Sequence, residues 1–68
     1  MKRAELLDRL ARLAEQRGVT FVFDRHGGRH DVFRFGESAV AVPRHREVRE
    51  RTALSIIRDC QRRGEGRE

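Results

Sequence analysis

Three histidines, His26, His30 and His45, are the side chains of this chain best suited to moving a proton near neutral pH, because imidazole changes charge in that range. His26 belongs to Arg25-His26-Gly27-Gly28 and reads as a solvated residue at a turn tip. His45 follows Pro43-Arg44 in a polar loop, where it could touch a phosphate or simply face water. His30 is placed differently. It comes just after the glycine turn, at the start of a strand, on the side turned away from the core, with Arg25, Arg29 and Arg44 close in the expected arrangement. A neutral imidazole among phosphate-binding guanidinium groups can accept a proton from a ribose 2′-hydroxyl, although most histidines at strand starts do no chemistry.

Other chemistries find less support. Cys60 falls on the apolar stripe of the last helix and reads as a small buried hydrophobe rather than a nucleophile. Asp24, Asp31 and Glu37 lie near turns without a metal-binding pattern, and are expected to face water. Gly27-Gly28 is too short for a phosphate loop and precedes a strand, not a helix. No metal and no cofactor is expected.

The elements that position these residues follow from periodicity. Leu6, Leu10 and Leu13, widened by Leu7 and Ala14, predict an amphipathic helix over about Lys2 to Arg17, ended by Gly18. Glu5 with Arg9 and Asp8 with Arg12 add i,i+4 pairs. Val19 to Asp24 is a short β-branched and aromatic run, and predicts a strand. Arg25 to Gly28 predicts a tight hairpin in which paired glycines supply positive φ. A second strand is expected from Arg29 to Phe35, and a third from Ala39 to Val42, closed by Pro43. The last helix carries Ala53, Ile56, Ile57 and Cys60 on one face; its start, at a Thr52 cap or nearer Val48, is open.

The order α-β-β-β-α predicts a two-layer α+β sandwich, with a three-stranded antiparallel sheet and both helices on one face. Alternation turns Phe21, Phe23, Phe33, Phe35, Val40 and Val42 toward the helices. It turns Thr20, Val22, His30, Val32, Arg34, Ala39 and Ala41 the other way. One domain over residues 1–60 is expected, with residues 61–68 a flexible tail.

With 68 residues there is room for one thin core. No apolar run is long enough to cross a membrane, and a single cysteine points to a reducing, cytoplasmic setting. The balance of 16 basic to 11 acidic side chains gives a net charge of +5, and Arg supplies all but one of the positive charges. Guanidinium groups fit phosphate bidentately, so the excess suits a nucleic-acid partner. Genome composition is the competing explanation.

Three motifs in order carry a family likeness: Gly27-Gly28-Arg29-His30, Val42-Pro43-Arg44-His45 and Thr52-Ala53-Leu54-Ser55-Ile56-Ile57-Arg58. Together they resemble the HicA-type toxins, bacterial mRNA interferases with a double-stranded-RNA-binding-domain-like fold. The resemblance spans most of the chain, from the first helix through Cys60. It implies a toxin of a type II toxin–antitoxin system, a metal-independent endoribonuclease that cleaves mRNA and is silenced by a cognate HicB-type antitoxin protein. It also places the family's catalytic histidine on His30. Two positions depart from the family pattern. Gly28 stands where serine is usual, and Arg29 where a second histidine or an asparagine is common. On this reading His30 is the general base, and Arg29, Arg34 and Arg44 hold the scissile phosphate. Arg25, Gly28 and His45 complete the RNA-binding set, and His45 or water serves as the general acid. Non-catalytic RNA binding on the same fold, or a protein-docking module using the outward sheet face, are the alternatives.

Overall fold

A computed structural model describes residues 1–65. The expected leucine stripe forms helix α1, Arg3–Arg17, with Leu6, Leu10 and Ala14 buried and Leu7 and Leu13 partly buried beside them. The surface pairs Glu5–Arg9 and Asp8–Arg12 form at 3.6 and 3.0 Å. Gly18 closes the helix at φ 72°, donating its N–H to the Ala14 and Glu15 carbonyls, the left-handed ending that glycine adopts without steric cost. At the other end no side chain caps the helix. Instead the Arg3 N–H donates to the Arg46 carbonyl at 2.8 Å, so the loop before the last helix satisfies a donor that the first turn leaves open.

Three antiparallel strands follow in the sheet order β1-β2-β3: β1 Phe21–His26, β2 His30–Phe35 and β3 Ser38–Pro43. The first strand is shifted from the expected one. It begins two residues later than Val19 and includes Arg25 and His26, where a turn is expected. A bulge makes this possible. Phe23 pairs with Phe33 but Arg25 pairs with Val32, leaving Asp24 as the extra residue, and pairing resumes beyond it.

The hairpin glycines also act differently from expectation. Positive φ occurs at Gly18 and Gly36 among the described residues, and not at Gly27 or Gly28. Gly27 is needed for space. Its N–H donates to the His30 carbonyl at 2.7 Å, and an added Cβ would lie 2.8 Å from that same oxygen. A Cβ at Gly28 would meet nothing within 4 Å.

The two helices lie on one face of the sheet, as the α-β-β-β-α order requires. Phe35, Val40 and Val42 are buried against Leu6, Leu10, Ala14, Val48, Ala53 and Cys60. Phe33 and Phe21 are partly buried and stack on each other at 5.0 Å. Phe23 shares their side by register, yet 48% of it is exposed. It lies on the edge strand, where every residue after Phe21 is exposed, so alternation assigned its side correctly but not its burial.

Asp31 is a plain correction. It was expected to face water, and it is buried at 7% exposure. The same alternation that turns Phe33 and Phe35 toward the helices turns Asp31 with them.

Helix α2 runs Glu50–Glu65. It starts between the two open alternatives, and the Arg49 carbonyl accepts the Ala53 N–H at 2.9 Å. It also continues past Cys60, because Gln61-Arg62-Arg63 favours helix and each further residue adds a hydrogen bond. Residues 66–68 of the expected tail lie outside the described residues. Among the described residues, no helix is long and apolar enough to cross a membrane.

Candidate functional site

The start of β2 and the loop after β3 are brought side by side by the ladder between them. His30 is the register partner of Pro43, and the Arg44 N–H extends the pairing to the Arg29 carbonyl at 3.3 Å. Proline has no N–H to continue a ladder, and the chain leaves the sheet there. It is caught again at Val48, which is 2% exposed and donates its N–H to the Met1 carbonyl at 2.7 Å. Anchored at both ends, the loop carries His45 and Arg49 next to the strand that bears His30.

The result is a surface pocket of about 390 Å³ whose polar lining is Arg29, His30, His45, Glu47, Arg49 and Thr52, with Pro43 and Val48 as its apolar part. Two imidazoles and two guanidinium groups therefore border one depression, and all four side chains belong to exposed residues. The one carboxylate there, Glu47, is engaged by the N-terminal ammonium group at 3.0 Å, which offsets its repulsion of an anion. This arrangement can receive a phosphate and offers it two groups able to give or take protons.

A second polar cluster centres on Asp31. Arg3 donates to Asp31 Oδ2 at 2.7 Å and to the Pro43 carbonyl at 2.9 Å. Nδ1 of His26 lies 2.8 Å from Asp31 Oδ1, and Arg44 Nε lies 3.5 Å from it. Arg44 also donates to the Gly28 carbonyl at 3.3 Å. The hydrogen bond from His26 holds the Asp31 carboxyl below its ordinary value of 3.8. Burial opposes that shift, and the charges of Arg44, His26 and Arg3 reinforce it. An ionised carboxylate only accepts, so His26 donates through Nδ1.

Of the residues expected at the site, His30, Arg29 and His45 meet at the pocket. Arg44 and Gly28 are joined to each other beside it, with Arg44 directed at Asp31. Arg25 pairs with Asp24 at 2.8 Å. Arg34 is exposed on the same strand as His30, about 13 Å away at the usual strand rise, too far to share one phosphate with it. Arg49 and Thr52 are additions to the expected set. Their signal was faint, because it required knowing how the loop from Arg44 folds back. His26, expected as a solvated residue at a turn tip, instead binds Asp31, and the parity of Asp31 within its strand is the sequence clue to that role. Among the described residues, no group of three His, Cys, Asp or Glu side chains is placed to hold a metal ion. No protein-family model, curated protein or solved structure matches the chain.

Proposed function

We propose that this chain is an endoribonuclease of the HicA type, a toxin that cleaves mRNA in the cytoplasm and is held inactive by a HicB-type antitoxin. The observation that carries the reading is the convergence of His30 and His45 with Arg29 and Arg49 around one pocket. His30 takes the proton of a ribose 2′-hydroxyl, and the freed oxygen attacks the adjacent phosphorus. The 5′-oxygen of the next nucleotide leaves with a proton from His45, and a 2′,3′-cyclic phosphate remains. Arg29 and Arg49 stabilise the charge that builds on the phosphate oxygens. Thr52 offers a further hydroxyl donor. The sequence resemblance supports the same assignment of His30.

Non-catalytic RNA binding is the second reading, favoured by the departures at Gly28 and Arg29 from the family pattern. A labelled transcript incubated with pure protein in chelator separates the two. General acid–base catalysis contributes about 10²–10⁴-fold, so His30→Ala is expected to slow cleavage at least about 100-fold. His45→Ala is expected to slow it comparably, whereas water as the acid would leave that variant within a few-fold of wild type. Retention of the transcript without any cleavage by the wild-type protein favours the second reading, and cleavage undiminished in His30→Ala removes the mechanism.

A further inference from the structure

We propose that Phe23 and His26 form a stacking site for an unpaired nucleobase, separate from the His30 pocket and independent of whether His30 is catalytic. The two rings lie 4.9 Å apart between centroids, tilted by 57°, on the edge strand. Phe23 is 48% exposed, and the His26 side chain is 67% exposed. Neither ring is loose. Phe23 packs edge to face on Phe33 at 5.6 Å. His26 is held through Nδ1 by Asp31, which is itself fixed by Arg3. The rotamer freedom that a ligand would otherwise have to freeze is already restricted, and such preorganisation favours binding.

The surroundings select the occupant. The Arg44 side chain, 49% exposed, lies 3.5 Å from the same Asp31 oxygen that holds His26. Arg25 belongs to the other face of the strand, where its register partner is Val32 and its guanidinium pairs with Asp24. Arg3 and Arg44 bring two positive charges to the single carboxylate of Asp31. Aromatic faces beside that positive excess suit a base with its phosphates, since every base has a π-face and the backbone is anionic. A duplex keeps its bases stacked inside, so the site takes single strands, loops or ends.

The test is equilibrium binding of the full chain to a short single-stranded oligoribonucleotide containing 2-aminopurine, and to the duplex of the same sequence, across a salt series. Wild type is expected to bind the single strand more tightly and to change the 2-aminopurine fluorescence. Phe23→Ala and His26→Ala are each expected to weaken single-strand binding about tenfold or more, with the dependence of log K on log salt unchanged. Phe23→Tyr, which keeps a ring, is expected to bind as wild type does. Arg44→Ala should instead lower the salt slope by about one. Unchanged single-strand affinity in Phe23→Ala, equal losses for duplex and single strand, or no binding of either RNA at physiological salt would overturn the proposal. Failure of the cleavage mechanism is read separately on the transcript gel, so the two cannot be confused.

Discussion

Asp31 shows how one side chain links the fold to both faces of the hairpin. It is the buried acceptor for Arg3 from α1 and for His26 from β1, and it forms an ion pair with Arg44 from the loop after β3. Its folded pKa lies below the ordinary value of 3.8, with the His26 hydrogen bond as the largest cause. A depressed carboxylate contributes stability above its unfolded pKa, and loses it as pH falls through the folded one. Urea midpoints of wild type and Asp31→Asn are therefore expected to differ near pH 7. The gap should persist down to about pH 4, then shrink as pH falls below 3.8 through the folded value. A gap that is constant across acid pH would show that the cluster holds no depressed carboxylate.

At the scale of elements, the hairpin between β1 and β2 sets where His26 and His30 stand. Its geometry depends on Gly27, whose Cβ position falls 2.8 Å from the His30 carbonyl oxygen. Gly27→Ala must push backbone against backbone, and is expected to cost about 1–3 kcal/mol. Gly28 has open space and no positive φ, so Gly28→Ala or Gly28→Ser should change stability by no more than about 0.5 kcal/mol. Chemical unfolding of the variants checks both, and equal losses would show that the close approach at Gly27 does not govern the turn. The helices, the strand order and the inward set Phe35, Val40 and Val42 were legible from period and alternation alone. The bulge at Asp24 was not, because nothing in Phe23-Asp24-Arg25 distinguishes an extra residue from the end of a strand. That one insertion displaced the expected turn, moved His26 into the sheet and hid its partnership with Asp31. The pairing of His30 with Pro43 could be inferred from the meander, but the return of Arg49 to the same pocket depends on the Val48–Met1 backbone bond, which leaves no local mark in sequence.

For the whole molecule, the core among the described residues holds nine buried apolar side chains and one buried acid. A domain of this size is stable by about 3–10 kcal/mol, and its net charge of +5 works against compactness through self-repulsion. A polyanion that binds the folded state relieves that repulsion and shifts the folding equilibrium toward the native chain. On the proposed function, the same excess charge would steer RNA toward the protein, so fold and proposed function place the same demand on the partner. On the proposed function, the pocket that gathers His30 and His45 beside Arg29 and Arg49 is where attack by the 2′-oxygen takes place.

Analysis of the product ends tests this most directly. Wild-type protein incubated in chelator with an end-labelled RNA is expected to leave 2′,3′-cyclic phosphate and 5′-hydroxyl termini, and to spare the same oligonucleotide carrying a 2′-deoxy sugar at the cut site. His30→Ala should form these products at least about 100-fold more slowly. Termini bearing a 3′-hydroxyl, or cutting at the deoxy-substituted position, would contradict an attack by the 2′-oxygen under the control of His30.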